Sequence, residues 1–171
     1  MKNIIVTGFM GTGKTTIAKL LAKDLGRTYV SIDEEIEKRE GEVIADIFKN
    51  KGETYFRKLE KEIVKTVSEK KGQVIDTGGG VILDEENMIN LKETGTIICF
   101  WSTPRVIFQR TKKYIHRPLL NVENPEEKIK ELLEIRRARY EKADFHIDTT
   151  DFDVDSIIKK INEMVGRTSA L

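Results

Sequence analysis

The chain has 171 residues, with 30 Lys and Arg against 29 Asp and Glu, so its formal net charge is +1. This length suits one compact domain, residues 1–171, with a sizeable core. The near balance of charge excludes general attraction to nucleic acid or to an anionic membrane. No apolar run approaches the roughly 18 residues of a membrane span, and the N-terminus lacks a signal-peptide pattern. We therefore expect a cytoplasmic enzyme that works as a monomer.

A glycine-rich turn follows the first apolar run of the chain and ends in Gly-Lys-Thr. It reads Gly8-Phe9-Met10-Gly11-Thr12-Gly13-Lys14-Thr15, and an amphipathic run closed by Gly26 follows it. A strand, a turn and a helix in this order form a nucleotide-phosphate cradle, because glycines let backbone N–H groups converge on phosphate oxygens. Lys14 would reach the β and γ phosphates, and Thr15 would offer its hydroxyl to Mg²⁺. The predicted phosphate-binding residues are Gly11, Thr12, Gly13, Lys14, Thr15 and Thr16.

Five apolar runs alternate with helical patterns, which predicts an α/β fold with a parallel sheet and helices on both faces. The runs are Ile4–Val6, Tyr29–Ile32, Val74–Asp76, Thr96–Trp101 and Phe145–Ile147. In such sheets ligands bind beyond the carboxyl ends of the strands, so residues that follow each run are the first candidates for chemistry. The single cysteine, Cys99, lies inside the fourth run and is predicted to be a buried thiol.

Carboxylates and glycines follow the second and third runs. Asp33 begins a helical run, so it either caps that helix or accepts or orients the proton of a hydroxyl that attacks the γ-phosphate. Asp76 lies where phosphate-loop enzymes place a carboxylate that holds Mg²⁺ directly or through water. The triplet Gly78-Gly79-Gly80 would let a ligand approach the bare backbone, whereas a plain tight turn needs only one or two glycines.

Helical patterns fill the segment of about residues 33–71, with a break at Gly52, and such an insertion suits a second substrate. Arg57 and Glu60 are three positions apart on one helical face, so they can pair. The alternative for Arg57 is an ordinary surface ion pair.

Periodicity is lost again at about residues 112–122, after a helix that begins at Pro104 and carries Arg110. This segment is either a helix connector or a lid that brings Arg117 to the transferred phosphoryl group and excludes water. The next helical run, 125–142, carries Arg136, Arg137 and Arg139, which are either site residues or part of a solvated face. The two histidines match no metal-ligand spacing, and we predict that His146 is a packing or edge residue.

Together these motifs make the chain resemble the shikimate kinases, phosphate-loop kinases that phosphorylate the 3-hydroxyl of shikimate with MgATP in aromatic amino-acid biosynthesis. The resemblance covers residue 3 to about residue 165. Besides the phosphate loop, it is carried by Asp33-Glu34-Glu35-Ile36-Glu37, Phe56-Arg57-Lys58-Leu59-Glu60, Thr77-Gly78-Gly79-Gly80, Arg117-Pro118-Leu119-Leu120 and Arg136-Arg137-Ala138-Arg139-Tyr140.

The resemblance implies a three-layer sandwich of the nucleoside monophosphate kinase type, with a five-stranded parallel sheet in the order 2-3-1-4-5. It implies ATP and Mg²⁺ as cofactors, shikimate as the substrate, and Asp33, Lys14 and Arg117 as catalytic residues. Further nucleotide contacts would come from Arg110, Arg117 and the segment from Thr149 to Asp153. The substrate would be held by Asp33, Arg57, Gly78, Gly79, Gly80 and Arg136 and walled by Phe48 and Phe56, and Glu60 would hold Arg57 in place.

One position departs from the family pattern, which usually has Asp-x-Asp at the end of the second strand with the first Asp near Mg²⁺. This chain has Ser31-Ile32-Asp33. Mg²⁺ is therefore expected to rest more on Thr15, the phosphates and water, with Asp76 as the nearest available carboxylate.

Two other functions stay open at this point. One is a kinase of another small hydroxy acid such as gluconate, and the other is a nucleotide-binding regulatory module that has lost catalysis. Arginines around a glycine triplet favour a small carboxylated polyol over a nucleotide as the acceptor. The departure at Ser31 is the only support for the regulatory module.

Overall fold

A computed structural model of the chain describes residues 1–112, 120, 122–151 and 153–168, the side chains of 167 and 168 aside. The strands are β1 (Asn3–Gly8), β2 (Thr28–Ser31), β3 (Gln73–Asp76), β4 (Gly95–Trp101) and β5 (Phe145–Asp148). The helices are α1 (Lys14–Asp24), α2 (Ile32–Glu40), α3 (Ile44–Ser68), α4 (Glu85–Thr94), α5 (Pro104–Thr111), α6 (Pro125–Tyr140) and α7 (Val154–Thr168). A short 3₁₀ turn, Val81–Leu83, precedes α4.

The strands form one parallel sheet in the order β2-β3-β1-β4-β5, as predicted. The register places Asp76 opposite both Val6 of β1 and Ser31 of β2. The carboxyl ends of these three strands therefore meet at one edge of the sheet, where ligands of parallel sheets bind.

Helices cover both faces of the sheet, and residues of each central strand alternate between two cores. Ile5, Ile75 and Ile97 pack in the core formed with α2 to α6. Ile4, Val74 and Ile98 pack in the core formed with α1 and α7. Because both faces are buried, the strands read as continuous apolar runs rather than alternating ones. This arrangement confirms the predicted three layers.

Two local predictions can be compared with the structure: the burial of Cys99 and the residue at which α2 begins. Cys99 is fully buried, and burial raises the pKa of its thiol to about 12, which confirms the prediction. Ile32, predicted as the end of a strand, is instead the first residue of α2. Ser31 is the N-cap of that helix, since its hydroxyl accepts a hydrogen bond from the Glu34 N–H at 3.2 Å, so the interpretation of Asp33 as the cap is wrong.

The helical insertion contains the predicted break at Gly52, whose backbone has φ 82° and ψ 169° inside α3. Residues on both sides of this break bind the end of α2. The ammonium of Lys51 lies 2.8 Å from Oε2 of Glu40, and the hydroxyl of Tyr55 donates to the same oxygen at 2.9 Å. These contacts link both halves of α3 to the C-terminal end of α2.

The predicted lid at about residues 112–122 falls almost entirely outside the described residues, and so do Arg117 and His116. The helix predicted for 125–142 ends earlier, at Tyr140. His146 is exposed on the edge strand β5, and its Nε2 is 3.1 Å from the carbonyl oxygen of Tyr140, which fits the predicted edge position. Within the described ranges, no helix combines the length and apolarity that crossing a membrane requires.

Candidate active site

The phosphate loop lies between β1 and α1, and its carbonyl groups are held by donors of the protein itself. The carbonyl of Phe9 accepts from the Thr12 hydroxyl at 2.7 Å and from the Lys14 ammonium at 2.9 Å. The carbonyl of Thr12 accepts from the buried hydroxyl of Thr149 at 2.8 Å. With these carbonyls turned toward protein donors, the amide side of the loop is left to face a ligand, as anion binding at a helix N-terminus requires.

A cavity of about 590 Å³ opens over this loop. Its lining combines the phosphate loop with the carboxyl ends of β2 and β3 and with α5. The lining residues are Met10, Gly11, Gly13, Lys14, Thr15, Thr16, Ser31, Asp33, Asp76, Gly78, Gly79, Arg110 and Thr111. One cavity therefore unites the predicted phosphate site with Asp33 and part of the glycine triplet.

Asp33 is the second residue of α2 and packs directly against the glycine triplet. A Cβ placed on Gly78 would lie 2.8 Å from Oδ1 of Asp33, and Gly78 has a φ of +69°, so both space and backbone favour glycine there. Burial raises the pKa of Asp33 to about 6, the nearby Asp76 carboxylate adds to this, and Lys14 opposes it. At neutral pH the carboxylate is thus ionised and close to the pKa that suits proton transfer.

Asp76 joins the ends of β2 and β3 to the phosphate loop. Its Oδ2 accepts the hydroxyl of Thr15 at 2.6 Å, and its Oδ1 accepts the Gly78 N–H at 3.2 Å. Ser31, its neighbour in the sheet register, uses its hydroxyl to cap α2. Oxygen atoms of Thr15 and Asp76 thus lie together beside the loop, and hard oxygen donors are what Mg²⁺ prefers.

Arg57 reaches the other end of the triplet from α3. A Cβ on Gly80 would lie 2.8 Å from Nη1 of Arg57. The same Nη1 lies 3.1 Å from both carboxylate oxygens of Glu60, whose side chain is only 3% exposed. Burial raises the pKa of Glu60, and the Arg57 charge opposes this rise. The pair is therefore not an ordinary surface ion pair, because the carboxylate is buried and the guanidinium packs on the triplet.

Arg136 approaches the triplet from α6. Its Nη1 lies 3.5 Å from the carbonyl oxygen of Gly79, and its guanidinium stands over the ring of Phe9, 5.4 Å from the centroid. Arg137, the next residue, is exposed and pairs with Glu134 and Glu141. Of these two arginines, only Arg136 is directed toward the site.

Two aromatic side chains of α3 pack together beside Arg57. The ring centroids of Phe48 and Phe56 are 4.5 Å apart, and the Arg57 guanidinium lies 5.2 Å from the Phe56 centroid. Phe56 is buried, whereas Phe48 is 36% exposed and presents ring surface to solvent. A partly exposed ring of this kind offers apolar surface to a ligand.

Of the residues predicted to lie around the nucleotide base, Arg110 lines the cavity and Asp153 does not. Arg110 lines the cavity and donates to the carbonyls of Thr149 and Thr150, both at 2.8 Å, and to that of Gly11 at 3.3 Å. It therefore ties the phosphate loop to the segment after β5. Asp153 lies away from the cavity lining, and its carboxylate accepts the hydroxyl of Ser156 at 2.6 Å at the start of α7.

Met10, Thr111 and Tyr140 have contacts in this region but had no role in the sequence predictions. Met10 lines the cavity, and the hydroxyl of Tyr140 donates to the carbonyl of Gly79 at 3.2 Å. The sequence signals for Tyr140 are its place in the motif from Arg136 to Tyr140 and its position four residues after Arg136, which places both on one helical face. Met10 had no signal beyond its place in the loop.

Comparison with known proteins decides between the kinases that this geometry allows. The family model described as shikimate kinase matches residues 10–166. A shikimate kinase of Thermodesulfovibrio yellowstonii is 52% identical over 169 residues, which cover 99% of this chain and 98% of the relative. A shikimate kinase of Thermoanaerobacter pseudethanolicus is 44% identical over 161 residues, 94% of each chain.

The chain belongs to the shikimate kinase family. A solved structure of the Acinetobacter baumannii shikimate kinase in complex with shikimate matches with a TM-score of 0.92 and 36% identity, covering 98% of this chain and 94% of that one. The shikimate kinase structure from Aquifex aeolicus matches with a TM-score of 0.86 and 38% identity, covering 98% of both chains. Family membership confirms the predicted enzyme class, an ATP-dependent shikimate kinase, and the predicted use of ATP and Mg²⁺.

Proposed function

We propose that this chain transfers the γ-phosphoryl group of ATP to the 3-hydroxyl of shikimate, with Asp33 as the group that accepts or orients the hydroxyl proton. The observation that carries the proposal is the position of Asp33. Its carboxylate lines the same cavity as Lys14 and packs against Gly78 of the triplet. One carboxylate thereby borders both the phosphate-donor half and the acceptor half of the site.

ATP phosphates would lie on the amide side of the loop from Gly11 to Thr16. Lys14 would exchange its bond to the Phe9 carbonyl for the β and γ phosphates, since a phosphate is the stronger acceptor. Arg110 would flank the base together with the segment from Thr149 to Asp153. These assignments account for the way Arg110 fixes that segment to the loop.

Shikimate would lie between α3, α6 and the glycine triplet. Arg57 and Arg136 come from these two helices to adjacent members of the triplet, Gly80 and Gly79. A planar guanidinium can donate to both oxygens of a carboxylate, which makes arginine suited to the acid group of shikimate. Phe48 and Phe56 would wall the ring of the substrate, and the backbone of Gly78, Gly79 and Gly80 would meet its hydroxyl groups.

The transfer itself is a displacement at phosphorus. The 3-hydroxyl oxygen forms a bond to the γ-phosphorus while the bond to the β,γ-bridging oxygen breaks and ADP leaves. The hydroxyl proton passes to Asp33, which is ionised at neutral pH because its pKa is about 6. Lys14 neutralises charge on the phosphates, and Arg117 would supply a further positive charge from the lid segment.

The residues around Asp76 fit a Mg²⁺ ion. Thr15 would bind the ion directly, Asp76 would hold it through water, and Ser31 would not serve, because its hydroxyl caps α2. When bound, Mg²⁺ neutralises the β and γ phosphates and so lowers the barrier to transfer. Asp76, which lies opposite position 31 in the register of the neighbouring strand, would then supply the nearest carboxylate.

The proposal includes residues 1–171 as one kinase domain, with about 33–71 as the substrate insertion and about 112–122 as the lid. A single sheet and its two cores support one domain. We propose a monomer that acts in the cytoplasm, because the groups assigned to both substrates come from one chain and ATP is supplied there.

The test is ATP consumption by the purified chain with Mg²⁺ and a panel of acceptors that includes shikimate, gluconate and a nucleoside monophosphate. We expect turnover with shikimate alone. Turnover with gluconate in its place would favour a kinase of another hydroxy acid. Binding of ATP without turnover of any acceptor would favour the regulatory module.

A further inference from the structure

Tyr140 is buried at the C-terminal end of α6, yet its hydroxyl bonds a backbone group of the acceptor site. The side chain is 1% exposed, and the hydroxyl donates to the carbonyl oxygen of Gly79 at 3.2 Å. A buried phenol needs a hydrogen-bond partner, and many groups in a core can provide one. Here the partner is the central glycine of the triplet, 61 residues away in sequence.

The hydrogen bond from Tyr140 bears on the acceptor site because it holds the peptide group between Gly79 and Gly80. The carbonyl of Gly79 and the N–H of Gly80 belong to one trans peptide group, so the N–H points opposite to the carbonyl. A peptide between two glycines turns over easily, since neither neighbour has a Cβ to restrict it. Contacts from outside the triplet therefore decide which way this N–H points.

Two side chains of α6, Arg136 and Tyr140, donate to the Gly79 carbonyl oxygen. They differ in their other roles in the proposed site. Arg136 lies 3.5 Å from the oxygen and is also the proposed ligand of the substrate carboxylate, so substrate competes for its donors. Tyr140 binds no substrate in the proposed site, although its hydroxyl also makes a hydrogen-bond contact with Arg136. Its hydroxyl is the donor that remains on Gly79 when Arg136 turns to the substrate.

The Tyr140 side chain also has packing contacts with residues of β4 and β5, in addition to its contact with Arg136. It meets Trp101 edge to face, with centroids 5.8 Å apart, and its backbone carbonyl is 3.1 Å from Nε2 of His146. Burial raises the pKa of the Tyr140 hydroxyl to about 12, so the group stays protonated and remains a donor near neutral pH. The Tyr140 hydroxyl is thus held at Gly79 by contacts of Tyr140 with β4 and β5.

We propose that Tyr140 is a positioning residue for the acceptor: its hydroxyl holds the Gly79–Gly80 peptide so that the Gly80 N–H points away from α6, into the acceptor half of the site. The inference rests on the proposed function, because it assigns Tyr140 to the binding of shikimate. Tyr140 itself touches neither substrate.

The experiment compares Tyr140→Phe with wild type in steady-state kinetics. The substitution keeps the ring and its packing and removes only the hydroxyl. Loss of one hydrogen bond predicts a rise of about 3- to 10-fold in the KM for shikimate. The KM for ATP and kcat are expected to stay within about twofold, because the lost interaction concerns acceptor binding alone.

A matched control is Tyr55→Phe, which removes an exposed phenol that bonds Glu40 in α2. Its kinetic constants should match wild type. An unchanged shikimate KM in Tyr140→Phe, or an equal rise in both KM values, would overturn the positioning role. Failure of the wild-type chain to phosphorylate shikimate would instead overturn the proposed function, so the two failures are distinguishable.

Discussion

Replacing Asp33 by Asn removes the proposed proton acceptor and, at the same time, a carboxylate that the folded protein holds at an energetic cost. In the folded chain the pKa of Asp33 is raised from 3.8 to about 6, chiefly by burial and then by the charge of Asp76. A raised carboxyl pKa means that the folded state binds the proton more tightly than the unfolded state. Ionisation of Asp33 therefore destabilises the fold, and this loss develops as pH rises from about 4 to about 6.

The magnitude follows from the difference in pKa. One pKa unit corresponds to about 1.4 kcal/mol, so the difference from 3.8 to about 6 amounts to about 3 kcal/mol above pH 6. Because the side chain of Asp33 retains some contact with solvent, we expect about half of this, about 1.5 kcal/mol. For a chain of this length that corresponds to a Tm higher by roughly 3–6 °C in Asp33→Asn.

The assay is thermal unfolding of both proteins without ligands between pH 4 and pH 8. The Tm difference should be close to zero at pH 4, should grow up to about pH 6 and should then stay constant. In the same variant kcat should fall by about 10²- to 10⁴-fold, since Asn cannot accept a proton. Glu34→Gln, an exposed change on the next residue, should alter stability by less than about 0.5 kcal/mol. A Tm gain that does not depend on pH, or a loss at pH 8, would refute the reasoning.

Four further substitutions test other parts of the site. Gly78→Ala should lower stability by about 1–3 kcal/mol and raise the KM for shikimate, because its Cβ would contact Asp33 at a φ of +69°; melting and kinetics measure both. Arg136→Lys should weaken shikimate binding in calorimetry by about 10-fold, because the charge stays but the planar fork is lost. Asp76→Ala should raise the Mg²⁺ concentration that gives half-maximal turnover, and Ser31→Asp should lower it.

Control variants, or outcomes that would contradict the prediction, can be named for these substitutions. Gly72 has a similar φ of +74° with open space around its Cβ position, so Gly72→Ala should carry the backbone strain without the effect on KM. Arg137→Lys should leave shikimate affinity unchanged, and a loss equal to that of Arg136→Lys would mean that Arg136 is not the carboxylate ligand. Identical Mg²⁺ curves for wild type and Asp76→Ala would refute the compensating carboxylate.

The sheet was predictable because its central strands β1, β3 and β4 are buried on both faces and read as apolar runs between helical patterns. The end of β2 was the exception. Ser31 and Asp33 are both good N-cap residues, and sequence alone does not say which one begins the helix. The structure assigns the cap to Ser31, which leaves the Asp33 carboxylate to line the cavity.

The candidate site was predictable where its residues follow strand ends or lie close together in sequence. Asp33, Asp76 and Gly78 come together because parallel strands end at one edge, and Arg57 and Glu60 pair within one helix. Contacts made by α6 depend on how that helix packs against the sheet.

The residue pattern therefore did not separate Arg136, which faces the site, from Arg137, which faces solvent, and only the resemblance singled out Arg136. Nor did the pattern reveal the bond from Tyr140 to Gly79. Both depend on tertiary packing between segments about 60 residues apart, which local patterns do not encode.

The central claim is that Asp33 receives the proton of the 3-hydroxyl in a site built for shikimate. The most direct measurement is NMR of the product formed from shikimate and ATP, with phosphorus–proton couplings to locate the ester. We predict a single product phosphorylated on the 3-hydroxyl in wild type, and formation of that product about 10²- to 10⁴-fold more slowly with Asp33→Asn. Phosphate on another hydroxyl, or undiminished product formation by the variant, would contradict it.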